Sequence, residues 1–373
     1  MPQNFFKDSG RIEMNWRRCL FVILSSMFYC EFLGDYIKLN SCSWPALEPN
    51  ELHAMIIADT HLLGPFRGHW LDKLYREWHM RRAFQAALFL HRPDIIFVLG
   101  DLFDEGDMVD HDDFRAYVTR FYSHFRTNIP IISAVGNHDV GFHYKMHPYF
   151  MNRFEEQFNN TGVQMYTLRG IHFVLINSMA MENDGCEFCQ TAVEELHSVA
   201  AKLHCLRNLN TCNDFETIKE HVNYSRPIVL QHFPTYRKSD RSCREHDSLR
   251  IEEYREKWEV LSKNSTDWLG KLLHPRLAFA GHSHHYCYSI NRWGIEEYTV
   301  ASFSWRNKVN PSFLMASLNP TKHSVHKCPM LEQPTVYILY IFTGCLCIIL
   351  IIIDISKWLY SLVRRSKPLI KTQ

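Results

Sequence analysis

Eighteen consecutive residues, 336–353, carry no charged side chain in this chain of 373 residues. At a rise of about 1.5 Å per residue such a run nearly matches the hydrocarbon core of a bilayer, so it predicts a transmembrane helix rather than a buried core helix. A second apolar segment, 19–37, is interrupted by Glu31 and Asp35. It follows basic residues and lacks a small-residue cleavage site, which favours an uncleaved signal anchor over a cleaved signal peptide.

The basic residues flanking both apolar segments lie outside the middle of the chain. The positive-inside rule then predicts that both termini are cytosolic and that the middle of the chain is lumenal or extracellular. The expected organisation is a cytosolic N-terminus (1–18), a signal anchor (19–37), a lumenal domain (40–333), a transmembrane helix (336–353) and a cytosolic tail (354–373).

Cysteines and glycosylation sequons support a lumenal middle region. Of the 12 cysteines, those outside the apolar segments all lie between them and suit up to four disulfides, whose pairing the sequence does not specify. Cys186 and Cys189 could instead form a redox or zinc pair. The candidate glycosylation sites are Asn159, Asn223 and Asn264. A net charge of +1 gives no basic field that would attract nucleic acid.

Short apolar runs in the middle region have the composition of buried strands, and each ends in polar residues. Helical stripes separate the first three runs. One stripe is regular, with Phe114, Tyr117, Val118, Phe121 and Phe125, and the other is approximate, with Leu74, Tyr75, Trp78, Phe84, Ala87 and Leu88. This alternation predicts an α/β fold with partly parallel sheets, in which ligands bind at the carboxyl ends of the strands. The polar stretch 182–225 is expected to be a cysteine-bearing insertion.

Five polar motifs stand at these strand ends. They are Asp59-x-His61, Gly100-Asp101-x-x-Asp104, Gly136-Asn137-His138-Asp139, a single His232, and Gly281-His282-x-His284. Each motif is weak alone, but the ordered set supplies the carboxylate, imidazole and amide ligands of a site for two metal ions. Two neighbouring cations need a bridging anion, and Asp101 is the natural candidate.

The ordered set resembles the calcineurin-like metallophosphoesterase superfamily. The resemblance implies a two-sheet β-sandwich flanked by helices (αββα). It also implies one ion on Asp59, His61, Asp101 and His284, and a second on Asp101, Asn137, His232 and His282. His138 would be the catalytic proton donor, oriented by Asp139 or Asp104. The mixed ligands suit Mn²⁺, Zn²⁺ or iron, and Asp104 stands where purple acid phosphatases carry a tyrosine ligand for ferric iron.

The chain also resembles a narrower group, the membrane phosphoesterases that act on GPI anchors after protein attachment. The resemblance lies in residues 58–64, 68–73 and 302–307. The resemblance implies Mn²⁺-dependent removal of the ethanolamine-phosphate branch from the second mannose of a GPI anchor. It implies GPI-anchored proteins as substrates, cargo-sorting receptors as partners, and residence at ER exit sites, the ER–Golgi intermediate compartment and the Golgi apparatus. Unlike some relatives, the chain has no di-basic pair in its last residues, 369–373.

Candidate substrate contacts combine residues able to bind phosphate with residues able to pack on sugar. They are Arg67, His69, Trp70, Trp305 and Arg306. Two alternative functions remain at this point. One is a different lumenal metal-dependent phosphodiesterase or phosphatase, and the other is a binding module on a catalytically inactive fold.

Overall fold

The computed structural model describes residues 16–47, 51–208 and 224–366. The chain forms two compact units, residues 35–332 and the terminal segments before and after them. The described helices are α1 (Trp16–Phe28), α2 (Gly34–Leu39), α3 (Trp70–His91), α4 (His111–His124), α5 (Asn137–Val140), α6 (Pro148–Phe158), α7 (Cys189–Arg207), α8 (Lys263–Leu273) and α9 (Gln333–Ser366). A π-helical segment, Tyr29–Leu33, connects α1 to α2, and 3₁₀ turns lie at His143–Lys145, Ser178–Glu182 and Asp240–Ser242.

Two apolar helical segments in the terminal unit could span a membrane. Residues 16–39 and 333–361 are long and apolar enough to cross a bilayer. The longer helix, α9, covers the uncharged run that predicted it. Glu31, the acidic residue of the first segment, accepts a hydrogen bond from the Tyr340 hydroxyl. A polar group in an apolar segment is therefore paired by the other segment of the same unit.

The first sheet of the large unit has the strand order β12-β11-β1-β2-β3. Its strands are β1 (Leu52–Ile57), β2 (Ile95–Leu99), β3 (Ile131–Ala134), β11 (Ser312–Leu318) and β12 (His323–Pro329). β1, β2 and β3 run parallel, with Ala54 opposite Ile95 and Ile96 opposite Ile131. β11 pairs antiparallel with β1 on its other side. The carboxyl ends of three parallel strands therefore meet at one edge.

The second sheet has the order β4-β5-β6-β8-β10-β9-β7. Its strands are β4 (Val163–Leu168), β5 (Ile171–Ile176), β6 (Ile228–Gln231), β7 (Glu245–His246), β8 (Leu277–Ala280), β9 (Cys287–Ile290) and β10 (Glu296–Thr299). Its centre, β5-β6-β8-β10, is parallel, and the outer strands pair antiparallel. The first sheet is thus parallel on one side and antiparallel on the other, and the second has a parallel centre with antiparallel margins. Both are mixed sheets, in agreement with the αββα expectation.

Alternate residues of each strand pack in opposite directions, which builds two apolar cores. One core joins the two sheets face to face and includes a Phe97–Phe173 ring contact with centroids 4.8 Å apart. The other core lies between the sheets and the helices and contains Met55 and Val98 from the intervening strand positions. This alternation follows from the two-residue period of a β-strand, and it confirms the two-sheet sandwich flanked by helices.

The two predicted helical stripes have different outcomes. In α4 the regular stripe is buried as expected, including Phe114 and Phe121, and Asp110 caps the helix by accepting from the Asp113 amide at 2.9 Å. In α3 the stripe is partly wrong, because Leu74 is 62% exposed whereas Glu77 is buried. His124 contacts the Glu77 carboxylate at 2.8 Å and Arg120 lies close to it, so a charged residue occupies the inner face without remaining unpaired.

Disulfides join distant and adjacent parts of the large unit. Cys42 pairs with Cys328, 286 positions later, and Cys243 pairs with Cys287. Cys186 bonds to Cys189 at the start of α7, so these two thiols are oxidised in the structure rather than forming a zinc pair. Cys205 is also disulfide-bonded. Within the described residues, the expected insertion is mainly helix α7, whose apolar face packs into the core beside the helices.

Candidate metal centre

Five strand ends bring the predicted ligands together at one edge of the sandwich. The contributing strands are β1, β2 and β3 of the first sheet and β6 and β8 of the second. The residues that follow them are Asp59 and His61, Asp101, Asn137, His232, and His282 and His284. Residues up to 225 positions apart therefore meet because parallel strands end on the same side of their sheets.

The backbone at this edge is strained in a systematic way. Asp59, His61, Asp101, His282 and His284 all have positive φ values, between 43° and 71°. Non-glycine residues seldom adopt this left-handed conformation, which costs free energy unless the surroundings hold it. A shared strained conformation among five clustered polar residues is typical of a functional site rather than of ordinary turns.

A glycine allows these turns to approach one another. A Cβ atom on Gly136 would lie 2.1 Å from the Asp101 backbone nitrogen, so a side chain at this position would push the two loops apart. The requirement is therefore for close backbone approach rather than for loop flexibility.

The first cluster contains Asp59, His61, Asp101 and His284. His61 Nε2 lies 3.1 Å from His284 Nε2 and 3.6 Å from Asp101 Oδ2. Asp59 Oδ1 lies 3.6 Å from His284 Nε2 and 3.9 Å from His61 Nε2. Two imidazole nitrogens and two carboxylate oxygens thus face one point, which is a donor set suited to Mn²⁺, Zn²⁺ or iron.

The second cluster contains Asp101 again, with Asn137, His232 and His282. His232 Nε2 lies 3.2 Å from Asp101 Oδ2, 3.1 Å from Asn137 Oδ1 and 3.2 Å from His282 Nδ1. The same oxygen of Asp101 therefore belongs to both clusters. The structure places all seven predicted ligands together, in the two groups that the family resemblance implied.

The two oxygens of the Asp101 carboxylate have different environments. Oδ1 accepts a hydrogen bond from the His138 backbone amide at 2.8 Å. Oδ2 is shielded from solvent, and the ring nitrogens His232 Nε2 and His61 Nε2 lie 3.2 and 3.6 Å from it. A buried carboxylate needs a positively charged partner, and two cations at this point would supply that charge. The residues therefore fit a dinuclear metal centre with Asp101 as the bridging ligand.

The electrostatics of the cluster favour the binding of cations. Burial, together with the negative charge of Asp101, raises the pKa of Asp59 to about 8. Burial opposes protonation of His232, yet the Asp101 carboxylate outweighs it and raises the pKa of His232 to about 9. Burial and the neighbouring His232 lower the pKa of His282 to about 3. Without cations the carboxylates must hold protons or protonated imidazoles, and divalent ions would displace them.

Asp104 supports the first cluster from behind. Its Oδ1 lies 3.2 Å from His61 Nδ1, and its Oδ2 accepts a hydrogen bond from Arg306 at 3.1 Å. Burial would raise the pKa of Asp104, but His61 and Arg306 outweigh it and hold the pKa at about 2. The ionised carboxylate fixes the His61 ring so that Nε2 faces the cluster.

His138 stands beside the ligands, and Asp104 contacts it through its backbone. His138 Nδ1 lies 3.0 Å from the Asp104 carbonyl oxygen, to which Arg67 Nη1 also donates at 2.8 Å. Asp139, the other candidate for orienting His138, has a different role. Its carboxylate accepts from the backbone amides of Leu102, Phe103 and Gly136 at 2.9–3.1 Å and so fixes the loops that carry the ligands.

A cavity of about 490 Å³ opens in front of the ligands. Its wall contains Asn137, His138, His282 and His284 together with basic residues that the motifs did not indicate, among them Lys145, Arg255 and Lys308. Trp258, which is 52% exposed, also lines it, and its carbonyl oxygen accepts from His282 Nε2 at 3.0 Å. These residues lie in segments without an apolar period, so no sequence signal marked them.

The candidate substrate contacts are divided by the structure. Arg67 lines the cavity. His69 caps helix α3 by accepting from the Leu71 amide, and neither it nor the exposed Trp70 is among the cavity residues.

The other two candidates differ from the expectation. Trp305 is only 6% exposed, donates its indole N–H to the Leu331 carbonyl and packs on His79, so it is not available to a glycan. Arg306 is half-buried and engaged with Asp104.

Two of the three candidate glycosylation sites lie on the surface. Asn159 and Asn264 are exposed, at the end of α6 and the start of α8. Asn223 lies outside the described residues. Exposure is a necessary condition for modification, and glycosylation of these asparagines stays a prediction.

Comparison with known proteins gives the family. Residues 52–286 match the family model described as calcineurin-like phosphoesterase. The chain is 55% identical over 350 residues to the Metallophosphoesterase 1 homolog of Drosophila melanogaster, covering 92% of this chain and 94% of that protein. It is 42% identical over 352 residues to Metallophosphoesterase 1 of Gallus gallus, covering 88% and 87%. A dimetal phosphatase from Danio rerio aligns with 75% of this chain and 97% of its own, at 13% identity and a TM-score of 0.46.

The matched segment contains every strand that carries a predicted ligand. A phosphoesterase family is consistent with the buried carboxylate of Asp101, which belongs to both ligand clusters. The chain is therefore a metal-dependent phosphoester hydrolase, and it belongs to the calcineurin-like phosphoesterase family.

Proposed function

We propose that this protein is a lumenal Mn²⁺-dependent phosphodiesterase that removes the ethanolamine-phosphate branch from the second mannose of GPI anchors. The observation that carries the phosphodiesterase chemistry is the buried Asp101 Oδ2, which two ligand clusters share beside an open cavity. The GPI substrate is supported by the resemblance of segments 58–64, 68–73 and 302–307 to enzymes that act on these anchors.

Seven side chains would hold the two cations, in the two clusters described above. When bound, two divalent ions neutralise charge on the phosphoryl oxygens and lower the pKa of the water molecule that attacks phosphorus. Asp101 would serve both ions because its Oδ1 is held by the His138 amide while Oδ2 faces a histidine of each cluster. Asp104 holds His61 in one ring orientation, so the site needs little rearrangement when it is loaded.

His138 would supply the proton that the leaving group needs. In the proposed reaction the oxygen of water bonds to phosphorus, the bond between phosphorus and the mannose oxygen breaks, and that oxygen gains a proton. His138 Nδ1 is engaged by the Asp104 carbonyl at 3.0 Å and by Arg67 Nη1 at 3.2 Å, so Nε2 is the ring nitrogen left to transfer the proton. The products are the free mannose hydroxyl and ethanolamine phosphate.

Both helical segments that could span a membrane fit a protein acting on a lipid-linked substrate. Attachment to the same membrane raises the effective concentration of the substrate at the enzyme. The basic flanks of the segments support cytosolic termini and a lumenal domain. In sealed microsomes we expect a C-terminal tag to be digested by added protease while the domain is protected. A protected tag would overturn this orientation.

The substrate proposal is tested in cells that lack the protein. We expect wild type, but not Asp101→Asn, to restore removal of the ethanolamine phosphate from the second mannose, measured by mass spectrometry of GPI glycans. Identical glycans with and without active enzyme would exclude the GPI substrate. If the same purified protein then hydrolysed an aryl phosphodiester, the result would support a different lumenal phosphodiesterase. If the metal-loaded protein hydrolysed none, the result would support a binding module.

A further inference from the structure

Three carboxylates line the cavity in front of the metal ligands: Asp107, Glu252 and Glu259. Two of them are paired with neighbouring cations. Lys308 Nζ lies 2.7 Å from Glu252 Oε1, and the Arg255 guanidinium contacts both oxygens of Glu259. Within the described part of the chain, Asp107 has no ion pair of this kind. It is therefore the cavity carboxylate whose charge is available to a ligand.

The position of Asp107 is fixed next to the proposed proton donor. Its backbone amide donates to the His138 carbonyl oxygen at 2.9 Å. Its side chain is half-buried, and Oδ1 is shielded from solvent with no hydrogen-bond partner among the described residues. Burial raises the pKa of Asp107, although the nearby positive charges of His138 and Arg67 oppose the shift. A poorly solvated carboxylate gains more from an incoming cation than a fully hydrated one does.

We infer that Asp107 binds the ammonium group of the substrate and so makes this site selective for aminoethyl phosphodiesters. An ammonium carries three N–H donors and a positive charge, which match the acceptor oxygens and the negative charge of a carboxylate that lines the cavity. In ethanolamine phosphate the ammonium is separated from the ester oxygen by two methylene groups, so the group that is recognised stays close to the reacting phosphorus. The wall that carries His138 would therefore also carry the group that reads the substrate. This inference rests on the proposed function and names the residue responsible for its specificity.

The test compares two synthetic diesters that differ only in the charged group. Para-nitrophenyl aminoethyl phosphate carries the ammonium, and para-nitrophenyl propyl phosphate replaces it with a methyl group of similar size. With the full chain purified in detergent and supplied with Mn²⁺, we expect wild type to prefer the aminoethyl diester in kcat/KM by about tenfold or more, as for a hydrogen bond to a charged group. Asp107→Asn should bring this ratio close to one.

Matched variants distinguish a specific contact from the general field of the cavity. Glu252→Gln and Glu259→Gln each remove one cavity carboxylate that already has a cation partner, and they should keep most of the wild-type preference. Asp107→Glu keeps the charge but moves it by one methylene group, so it should retain part of the preference. It also serves as the informative variant if Asp107→Asn does not fold.

Each outcome decides between the inference and the function on which it rests. If metal-loaded wild type turns over neither diester, both the inference and the proposed phosphodiesterase fail. If wild type turns over both equally, the phosphodiesterase stands and selection of an ammonium is excluded. If the wild-type preference survives Asp107→Asn, or is lost equally in Glu252→Gln, the ammonium is read by another group and Asp107 is not the determinant.

Discussion

The two halves of the metal centre share Asp101 but are supported in different ways. Behind the first half, the carboxylate of Asp104 contacts His61 Nδ1 at 3.2 Å and is itself paired with Arg306. In the second half, His232 Nδ1 lies 2.7 Å from a backbone carbonyl, that of Leu99. A carboxylate makes an imidazole ligand more basic than a carbonyl does. The first half therefore depends on side-chain charge, and the second depends on the position of the backbone.

The ligands themselves add to this difference. The first half contains the carboxylate of Asp59 in addition to the shared Asp101, whereas the second half adds the neutral amide of Asn137. More negative charge around a divalent ion binds it more tightly. We expect the first half to fill at a lower Mn²⁺ concentration than the second, and the following predictions test this order.

The largest effect is expected at the residue that the halves share. Asp101→Asn removes the bridging charge, so both ions should be lost and activity should fall on the order of a thousandfold or more, because metal-ion catalysis contributes several kcal/mol. Metal content by mass spectrometry and turnover of an aryl phosphodiester give the two measurements. Retention of two tightly bound ions would show that Asp101 is not the bridge.

Removing a ligand from one half should weaken the binding of one ion more than that of the other, so the two affinities can be told apart. Asn137→Ala should leave one tightly bound ion, because the half with more charge is intact. Asp59→Asn should weaken the tighter ion, and both variants should lower activity by about a hundredfold or more, since each breaks the two-ion arrangement. Calorimetric titration of metal-free protein with Mn²⁺ gives the affinities. If Asn137→Ala removed the tighter ion, the order of filling would be reversed.

The supporting carboxylate should have a smaller effect that is confined to the first half. Asp104→Asn is expected to lower Mn²⁺ affinity or activity by about 10–100-fold, the usual range for a group that orients a metal ligand. Asp267→Asn is the matched control, because Asp267 also pairs with an arginine, Arg292, but lies outside the cavity. Equal loss in both variants would attribute the effect to general destabilisation.

The smallest predicted effect is on the pH dependence of stability. In the absence of cations, Asp59 has its pKa raised to about 8 and His232 to about 9, so their contributions to stability are present at low pH and are lost as pH rises through these values. Bound Mn²⁺ reverses this loss, so the increase in Tm on adding Mn²⁺ should be larger at about pH 8 than at about pH 6. Each kcal/mol of additional stabilisation by Mn²⁺ should raise Tm by a few degrees. Asp59→Asn should flatten the dependence more than Asn137→Ala does. A Mn²⁺ effect that is independent of pH would contradict the raised pKa values.

The sequence predicted the parts of the fold and the site that depend on strand ends. The apolar runs that became β1, β2, β3, β6 and β8 place their following residues at one edge whatever the details of packing, so the seven candidate ligands could be named from the sequence. Their grouping around Asp101 followed from the resemblance to the family.

Side-chain environments set by distant contacts could not be predicted. Trp305 reads as an exposed aromatic candidate, yet it is buried because the Leu331 carbonyl and His79 come from elsewhere in the chain. Glu77 is outside the predicted stripe of α3, yet it is buried and paired with His124 of α4. Such pairings depend on which helices meet, and that information is absent from a local pattern.

The Cys42–Cys328 bridge turns most of the large unit into a covalent ring. Because it closes a loop of 286 positions, the chain-entropy model assigns it about 6 kcal/mol. A single proteolytic cut inside the ring leaves the two fragments joined, so it would appear only on a reducing gel. Tension applied along the chain from its two ends passes through the sulfur atoms and reaches only the last residues of β12 among the strands. The strand ends that carry the candidate metal ligands therefore lie outside the covalent path of a load carried by the terminal helices.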